Sequence, residues 1–140
     1  MNASLYRQGI INYAYDIAKI VATRSKDPYR KVGAVILNSD NRIISTGYNG
    51  LAPGYEPSED FWLNKEARKP FMIHAEINAL SYIKRGEGKL LVCTLKPCHN
   101  CLLACIAHGI KTIWYGEEKE GLEQSNIIAR TYGIGFSSVS

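Results

Sequence analysis

Long apolar runs are missing from this sequence. No segment approaches the roughly 18 to 20 apolar residues that a membrane span needs, and residues 1–9 lack the apolar stretch and cleavage site of a signal peptide. There is no internal repeat and no low-complexity tract. Four cysteines in 140 residues are too few and too unevenly placed for a disulfide scaffold. These absences predict a globular cytoplasmic protein without a membrane partner.

A strong charge of either sign is also missing. The sequence has 17 Lys and Arg against 13 Asp and Glu, a net charge of +4 and a pI of about 8.9. It has no basic tail and no run of cations interleaved with aromatic residues, which argues against a nucleic-acid partner. A mild positive charge is compatible with a small anionic substrate. The length predicts one domain over residues 1–140, large enough to bury a core.

Apolar periodicity predicts helices that alternate with strands after an opening helix and hairpin. The first half of the chain is predicted to contain a helix over about residues 4–24 and two strands over 32–37 and 43–46. The second half is predicted to contain helices over 75–84 and 121–132 and strands over 90–95, 112–115 and 134–139. Between the strands at 90–95 and 112–115, a further helix is predicted to have Pro97 as its first residue and to stop at Gly109. Segment 51–72 is expected to be irregular, with a short helix over 61–68. This order predicts a mixed sheet with helices on both faces.

Four side chains form a candidate metal centre. His74, Cys98 and Cys101 have the spacing and chemistry of zinc ligands, and three ligands leave a position for water, whereas a structural zinc site usually has four. A helix that begins at the cysteines would place both sulfurs on one face, near a positive helix terminus that favours thiolate. Glu76 suits proton transfer beside the bound water. Because residues two apart on a helix point about 200° apart, His74 must lie at the very start of its helix.

The Cys-x-x-Cys pair alone leaves alternatives open. It is also typical of a thioredoxin-like redox pair or of half a zinc ribbon. Cys93 and Cys105 have apolar neighbours, which predicts buried core thiols and not ligands. His99, between the two thiols, is expected on the helix surface.

The segments His74-Ala75-Glu76 and Pro97-Cys98-His99-Asn100-Cys101 match the H-x-E and P-C-x-x-C signature of zinc-dependent nucleobase deaminases. Within that superfamily the chain resembles the deoxycytidylate (dCMP) deaminases over roughly residues 10–135. The segments that carry this resemblance are Arg24-Ser25-Lys26-Asp27-Pro28, Val32-Gly33-Ala34-Val35, Gly47-Tyr48-Asn49-Gly50 and Gly109-Ile110-Lys111. The resemblance implies an α/β fold, a three-layer α/β/α sandwich with a central mixed five-stranded sheet of the cytidine deaminase type.

The resemblance also implies an activity, the zinc-dependent hydrolysis of dCMP to dUMP and ammonia. His74, Cys98 and Cys101 would hold one Zn²⁺ per chain, and zinc-bound hydroxide would attack C4 of cytosine. Glu76 would move a proton to N3 and then to the departing amino group. Deaminases of a polynucleotide, such as a transfer RNA adenosine, and of free nucleosides share the zinc motif and stay as alternatives. A purely structural zinc site in a non-catalytic binding module is a third possibility. Glu76 argues against it, because a structural zinc site does not need a carboxylate at that position.

Six further residues are implied as substrate contacts. The Ala75 N–H would contact the pyrimidine O2, Asn49 the deoxyribose hydroxyl and Tyr115 the face of the base, although Asn49 also suits a turn and Tyr115 ordinary packing. Arg24, Ser25 and Lys26 are the candidates for the 5′-phosphate, with a merely solvated cationic patch as the alternative.

Regulation and assembly are expectations from the resemblance alone. Family members often have Gly-Tyr-Asn-Gly-x-Pro-x-Gly in a loop linked to feedback by a nucleotide triphosphate with Mg²⁺. In this chain Pro53 stands one position late, which leaves that effector open. Segment 51–72 has no Cys or His for a second zinc. Relatives form homo-oligomers, commonly hexamers, and the same is expected here.

Overall fold

A mixed five-stranded sheet forms the centre of the structure, a computed structural model that describes residues 7–140. Its strands are β1 (Gly33–Leu37), β2 (Ile43–Tyr48), β3 (Leu90–Leu95), β4 (Thr112–Glu117) and β5 (Gly135–Ser138), in the order β2-β1-β3-β4-β5. Strand β1 pairs antiparallel with β2 and β3, whereas the β3–β4 and β4–β5 pairs are parallel. The predicted hairpin and mixed sheet are confirmed.

Helices cover both faces of the sheet, as the fold class requires. Helix α1 (Gln8–Ala22) packs on one face through Ile11, Ala14 and Ala18, against Val35, Leu37, Leu90 and Val92. Helices α4 (Ala75–Leu80), α5 (His99–Ala107) and α6 (Glu123–Tyr132) enclose a second apolar cluster on the other face. The three-layer α/β/α prediction is confirmed. Residues 4–6 of the predicted first helix lie outside the described residues. No helix in residues 7–140 has the length and apolar character to cross a bilayer.

Two predicted helix bounds are wrong for local reasons. Helix α4 ends at Leu80, not near residue 84, because Ser81 Oγ donates to Asn78 O at 2.6 Å and the next N–H groups make tighter turns. Pro97 is not the first residue of α5. The N-cap is Cys98, in extended conformation, and Pro97 precedes it with its carbonyl bonded to Ser125 Oγ at 2.9 Å.

The long connection between β2 and α4 is closed at its base and partly helical. Gly50 and Ile73 exchange two backbone hydrogen bonds of 3.0 and 2.7 Å. The predicted helix over residues 61–68 is instead two short helices, α2 (Glu59–Leu63) and α3 (Lys65–Arg68), followed by a 3₁₀ turn at Lys69–Phe71. Asn64 divides them because it is extended and its Oδ1 accepts the Ala67 N–H at 3.1 Å, as an N-cap does.

Gly47 brings the helix of the candidate site against the sheet. A Cβ at this position would lie 2.4 Å from the Ala79 nitrogen and 2.5 Å from the Ala75 oxygen, both backbone atoms of α4. We expect Gly47→Ala to lower the free energy of unfolding by about 1–3 kcal/mol, the range for over-packing. Urea denaturation measures it. Gly9→Ala is the matched control, because no atom of residues 7–140 lies within 4 Å of that Cβ. Equal midpoints for the two variants would contradict the predicted contact.

Candidate active site

Two helix N-termini meet at the candidate site. His74 is the N-cap of α4 and Cys98 the N-cap of α5, both with extended backbone angles. An N-cap side chain commonly accepts a hydrogen bond from its own helix, but neither of these does. Their side chains approach each other and Cys101, one turn into α5. His74 therefore occupies the helix start that the sequence pattern required.

The distances within this trio suit a tetrahedral zinc ion. His74 Nδ1 lies 3.1 Å from Cys101 Sγ and 3.8 Å from Cys98 Sγ, and the three ligand atoms lie within 4.8 Å of one another. Bonds of about 2.0–2.1 Å to nitrogen and about 2.3 Å to sulfur imply edges of about 3.6 Å between N and S and about 3.8 Å between sulfurs. Within residues 7–140, no fourth His, Cys, Asp or Glu joins the trio. All four cysteines are free thiols, which rules out a disulfide between Cys98 and Cys101 in this structure.

A hydrogen bond couples the pKa values of the Cys98 and Cys101 thiols. Hydrogen bonds from Cys101 and then His74 lower the pKa of Cys98 to about 3. The same sulfur–sulfur hydrogen bond raises the pKa of Cys101, and the bond to Cys98 raises that of His74. These opposite shifts favour the thiolate form of Cys98. A bound divalent ion would displace the remaining proton, as thiol ligation does.

Glu76 is a buried carboxyl beside the trio. It is 4% exposed and sits in the first turn of α4, two residues after His74. Burial raises the pKa of Glu76 to about 7, because desolvation disfavours the charged form. A group with that pKa can both accept and return a proton near neutral pH.

The cleft above these residues has a volume of about 480 Å³. His74, Ala75, Glu76 and Cys98 line its floor, and Asn49 lines a wall. Ala75 is the first residue of α4, so its N–H has no partner within the helix. The structure thus brings the four catalytic-centre candidates together with two of the six predicted substrate contacts.

Asn49 is held in a dense network. Its Oδ1 accepts the Val32 N–H at 2.8 Å, and its Nδ2 donates to Arg30 O at 2.8 Å and to Asp27 Oδ2 at 3.3 Å. Both amide hydrogens are used, so any contact with a sugar hydroxyl must use the second lone pair of Oδ1.

The other four predicted contacts do not line the cleft. Arg24 and Lys26 are exposed. Ser25 is buried, and its hydroxyl donates to Asn49 O at 2.8 Å and accepts the Asp27 N–H at 3.2 Å. Tyr115 is 6% exposed, packs on Phe136 at a centroid distance of 5.0 Å and donates to Glu118 at 3.2 Å. Their substrate roles stay predictions.

A buried ion pair that the sequence pattern missed organises one wall of the cleft. Arg68 Nη1 donates to Asp27 Oδ2 at 2.8 Å, with the two side chains 6% and 7% exposed. Asp27 Oδ1 also accepts the Tyr29 and Arg30 N–H groups at 2.8 and 3.2 Å. The partners are 41 residues apart, so only the position of Asp27 before a proline hinted at a structural role.

Breaking this pair should destabilise the fold. Arg68→Met leaves the Asp27 carboxylate buried without its cation, and we expect a loss of about 3–5 kcal/mol in the free energy of unfolding. Lys19→Met is the control, because the Lys19–Asp16 pair is exposed and such pairs contribute about 0–1 kcal/mol. Denaturant unfolding of both variants measures the difference, and similar losses would refute the buried role of Arg68.

The fold and the site together define a class of protein. A three-layer α/β/α sandwich presents one imidazole, two thiols and a buried carboxyl at a cleft, with three metal ligands and not four, which is the arrangement of a hydrolytic zinc enzyme. Residues 9–117 match the family model for the cytidine and deoxycytidylate deaminase zinc-binding region. The chain belongs to this family.

Named relatives point in the same direction. Human deoxycytidylate deaminase is 34% identical over 114 residues, which cover 76% of this chain and 64% of that protein. The mouse deoxycytidylate deaminase is 32% identical over 135 residues, 89% of this chain and 76% of that protein. This chain thus matches less than two thirds of the human protein's length. The apo structure of a cyanophage S-TIM5 dCMP deaminase shares the fold, with a TM-score of 0.75 and 24% identity over 95% of this chain and 99% of that one.

Proposed function

We propose that the protein deaminates dCMP hydrolytically, giving dUMP and ammonia. The observation that carries this proposal is the buried Glu76 carboxyl beside the His74, Cys98 and Cys101 trio at a cleft. Identity of 32–34% to deoxycytidylate deaminases supports the choice of substrate.

The roles of the residues follow from their positions. His74 Nδ1 and the two thiolates would hold the zinc ion. When bound, zinc supplies a Lewis acid that lowers the pKa of water towards roughly 7. Glu76 takes one proton of the attacking water and passes it to N3 of the base. It then takes the second proton of that water, from the new C4 hydroxyl, and gives it to the amino group, so that the C4–N bond breaks, ammonia departs and the C4 carbonyl of uracil forms. Its burial keeps bulk water from competing for that proton.

Two contacts would orient the base and the sugar. The Ala75 N–H, unpaired within its helix, would donate to the pyrimidine O2. Asn49 would accept the deoxyribose hydroxyl through Oδ1, because its two amide hydrogens already bond to Arg30 and Asp27. Asn49→Ala removes the Oδ1 acceptor and both amide donors, so it should also disturb the wall of the cleft.

A turnover assay tests the activity. Zinc-loaded protein is incubated with dCMP, deoxycytidine, CMP, dCTP and a transfer RNA anticodon stem, and ammonia release is measured. We expect dCMP to give the highest kcat/KM. Release from RNA but not from dCMP would replace this proposal by a polynucleotide deaminase, and release from none of them would refute it.

We also propose a homo-oligomer, with a hexamer as the first candidate, in the cytoplasm. An aromatic cluster on the β2–α4 connection supports an interface: Phe61 packs on Tyr55 and Phe71 at centroid distances of 5.5 and 5.6 Å, while Tyr55 and Phe71 stay 49% and 56% exposed. Large exposed apolar patches mark contact surfaces. Light scattering measures the assembly.

An effector, Mg²⁺ with a nucleotide triphosphate, is tested by adding dCTP and Mg²⁺ to the turnover assay.

A further inference from the structure

The basic side chains around the cleft fall into two groups. Six of them line it, and three are paired with carboxylates: Arg68 with Asp27 at 2.8 Å, Arg30 with Glu117 at 2.9 Å and Lys96 with Glu118 at 2.6 Å. The other three are Lys65, Lys69 and Lys119, which have no carboxylate within 4.0 Å in the described part of the chain. Residues 1–6 contain no acidic side chain that could change this. The cleft therefore carries excess positive charge.

Lys65 and Lys69 form a local pair on one wall. They are four residues apart across α3 and the following 3₁₀ turn, the separation that places two side chains on one helix face. Lys119 comes from a different wall, the connection after β4. Two lysines without carboxylate partners in residues 7–140, both on one concave surface, raise the local positive potential, which favours an anionic ligand.

The segment that carries these lysines is fastened to the rest of the cleft. Arg68, between them, forms the buried pair with Asp27 and stacks on the Tyr29 ring at 4.9 Å. Tyr29 OH donates to Leu63 O at 2.6 Å, at the end of α2. Arg68 Nε is buried without an acceptor among the residues that the structure describes, which leaves one guanidinium donor for an acceptor at this wall. The segment that carries Lys65 and Lys69 is thus held in place by contacts with Asp27 and Tyr29.

Arg24 and Lys26, the alternative cations, also lack a carboxylate within 4.0 Å in residues 7–140, but they do not line the cleft. Both are exposed outside the cleft lining, and the hydroxyl of Ser25 between them is consumed by protein hydrogen bonds.

We propose that Lys65 and Lys69 bind the 5′-phosphate of the substrate and so determine its preference over the free nucleoside, with Arg68 as the positioning residue. This inference rests on the proposed function. The phosphate would lie at the α3 wall while the base lies on the floor formed by His74, Ala75 and Glu76. A dianionic phosphate offers each ammonium group a charge-assisted hydrogen bond.

The test compares two double variants of equal charge change. K65Q/K69Q should lower kcat/KM for dCMP roughly 30- to 100-fold, because a hydrogen bond to a charged group contributes roughly tenfold, and leave kcat/KM for deoxycytidine within about threefold. K84Q/K111Q is the control. Lys84 and Lys111 lie outside the cleft lining, and Lys111 precedes β4, at the end of the sheet opposite the cleft. The control variant should leave kcat/KM unchanged for both dCMP and deoxycytidine.

A binding measurement separates this inference from the proposed function. Calorimetry gives the Kd of dUMP and of deoxyuridine for each protein, with no turnover required. We expect K65Q/K69Q to remove most of the preference for dUMP. An unchanged preference overturns the inference, as does a loss of preference in R24Q/K26Q but not in K65Q/K69Q. If wild-type protein deaminates neither pyrimidine substrate, the proposed function fails, and the dUMP preference still decides the role of the two lysines.

Discussion

Glu76→Gln is expected to reduce kcat for dCMP by about 100- to 10,000-fold, the contribution typical of a positioned acid–base group. Glutamine has nearly the same shape but can neither take a proton from water nor return it to the leaving amino group. Because Glu76 is 4% exposed, the neutral side chain also avoids the burial of a charge. The free energy of unfolding should therefore be equal to or above that of the wild-type protein. Stopped-flow turnover and urea denaturation measure the two quantities.

A matched control separates loss of proton transfer from loss of a helix-terminal charge. Glu123 is an exposed acidic residue in the first turn of α6 and is outside the cleft lining. Glu123→Gln should leave kcat unchanged. Elemental analysis should find the same zinc content in both variants, since Glu76 is not one of the three clustered ligands. A Glu76→Gln protein that turns over dCMP at a normal rate would show that another group moves the protons.

The sequence predicts this structure best where one local pattern determines the outcome. Strand β3 has the predicted bounds, residues 90–95, because a continuous apolar run between polar connections suits a strand buried on both faces. The metal trio could be predicted because its chemistry and spacing are unusual, and because the requirement for His74 at a helix start follows from helix geometry alone.

Tertiary contacts decide what the sequence pattern could not show. Arg24 and Lys26 are reasonable phosphate ligands by charge, yet they do not line the cleft, whereas Lys65 and Lys69 do. The Asp27–Arg68 pair that supports this wall joins residues 41 apart. No periodicity encodes such a contact. The end of α4 is a similar case on a smaller scale, because a side-chain hydrogen bond from Ser81 competes with one more helical turn.

Cys98→Ala is expected to lower the bound zinc from about one per chain to below about 0.1 after dialysis, because losing a direct ligand should exceed the 10- to 100-fold loss in affinity caused by outer residues. Turnover of dCMP should fall with the metal. Zinc also stabilises the folded chain, by a free energy that grows with the logarithm of its concentration divided by its Kd. Wild-type protein should therefore have a higher Tm with zinc than with a chelator, and the variant should not.

Cys105→Ala distinguishes a ligand from a core thiol on the same helix. Cys105 is fully buried in the apolar cluster beneath α5, outside the metal trio. Its removal leaves a small cavity and should lower the Tm both with zinc and with chelator, while the zinc content and the Tm difference between the two conditions stay as in the wild-type protein. Cys98→Ala should instead lower the zinc content and abolish the Tm difference, while the Tm with chelator stays near that of the wild-type protein. The reason is that its half-exposed sulfur contributes to the metal site and not to packing. If Cys98→Ala kept one zinc per chain and the zinc-dependent rise in Tm, the ion would lie elsewhere, and the roles assigned to His74 and Cys101 would fail with it.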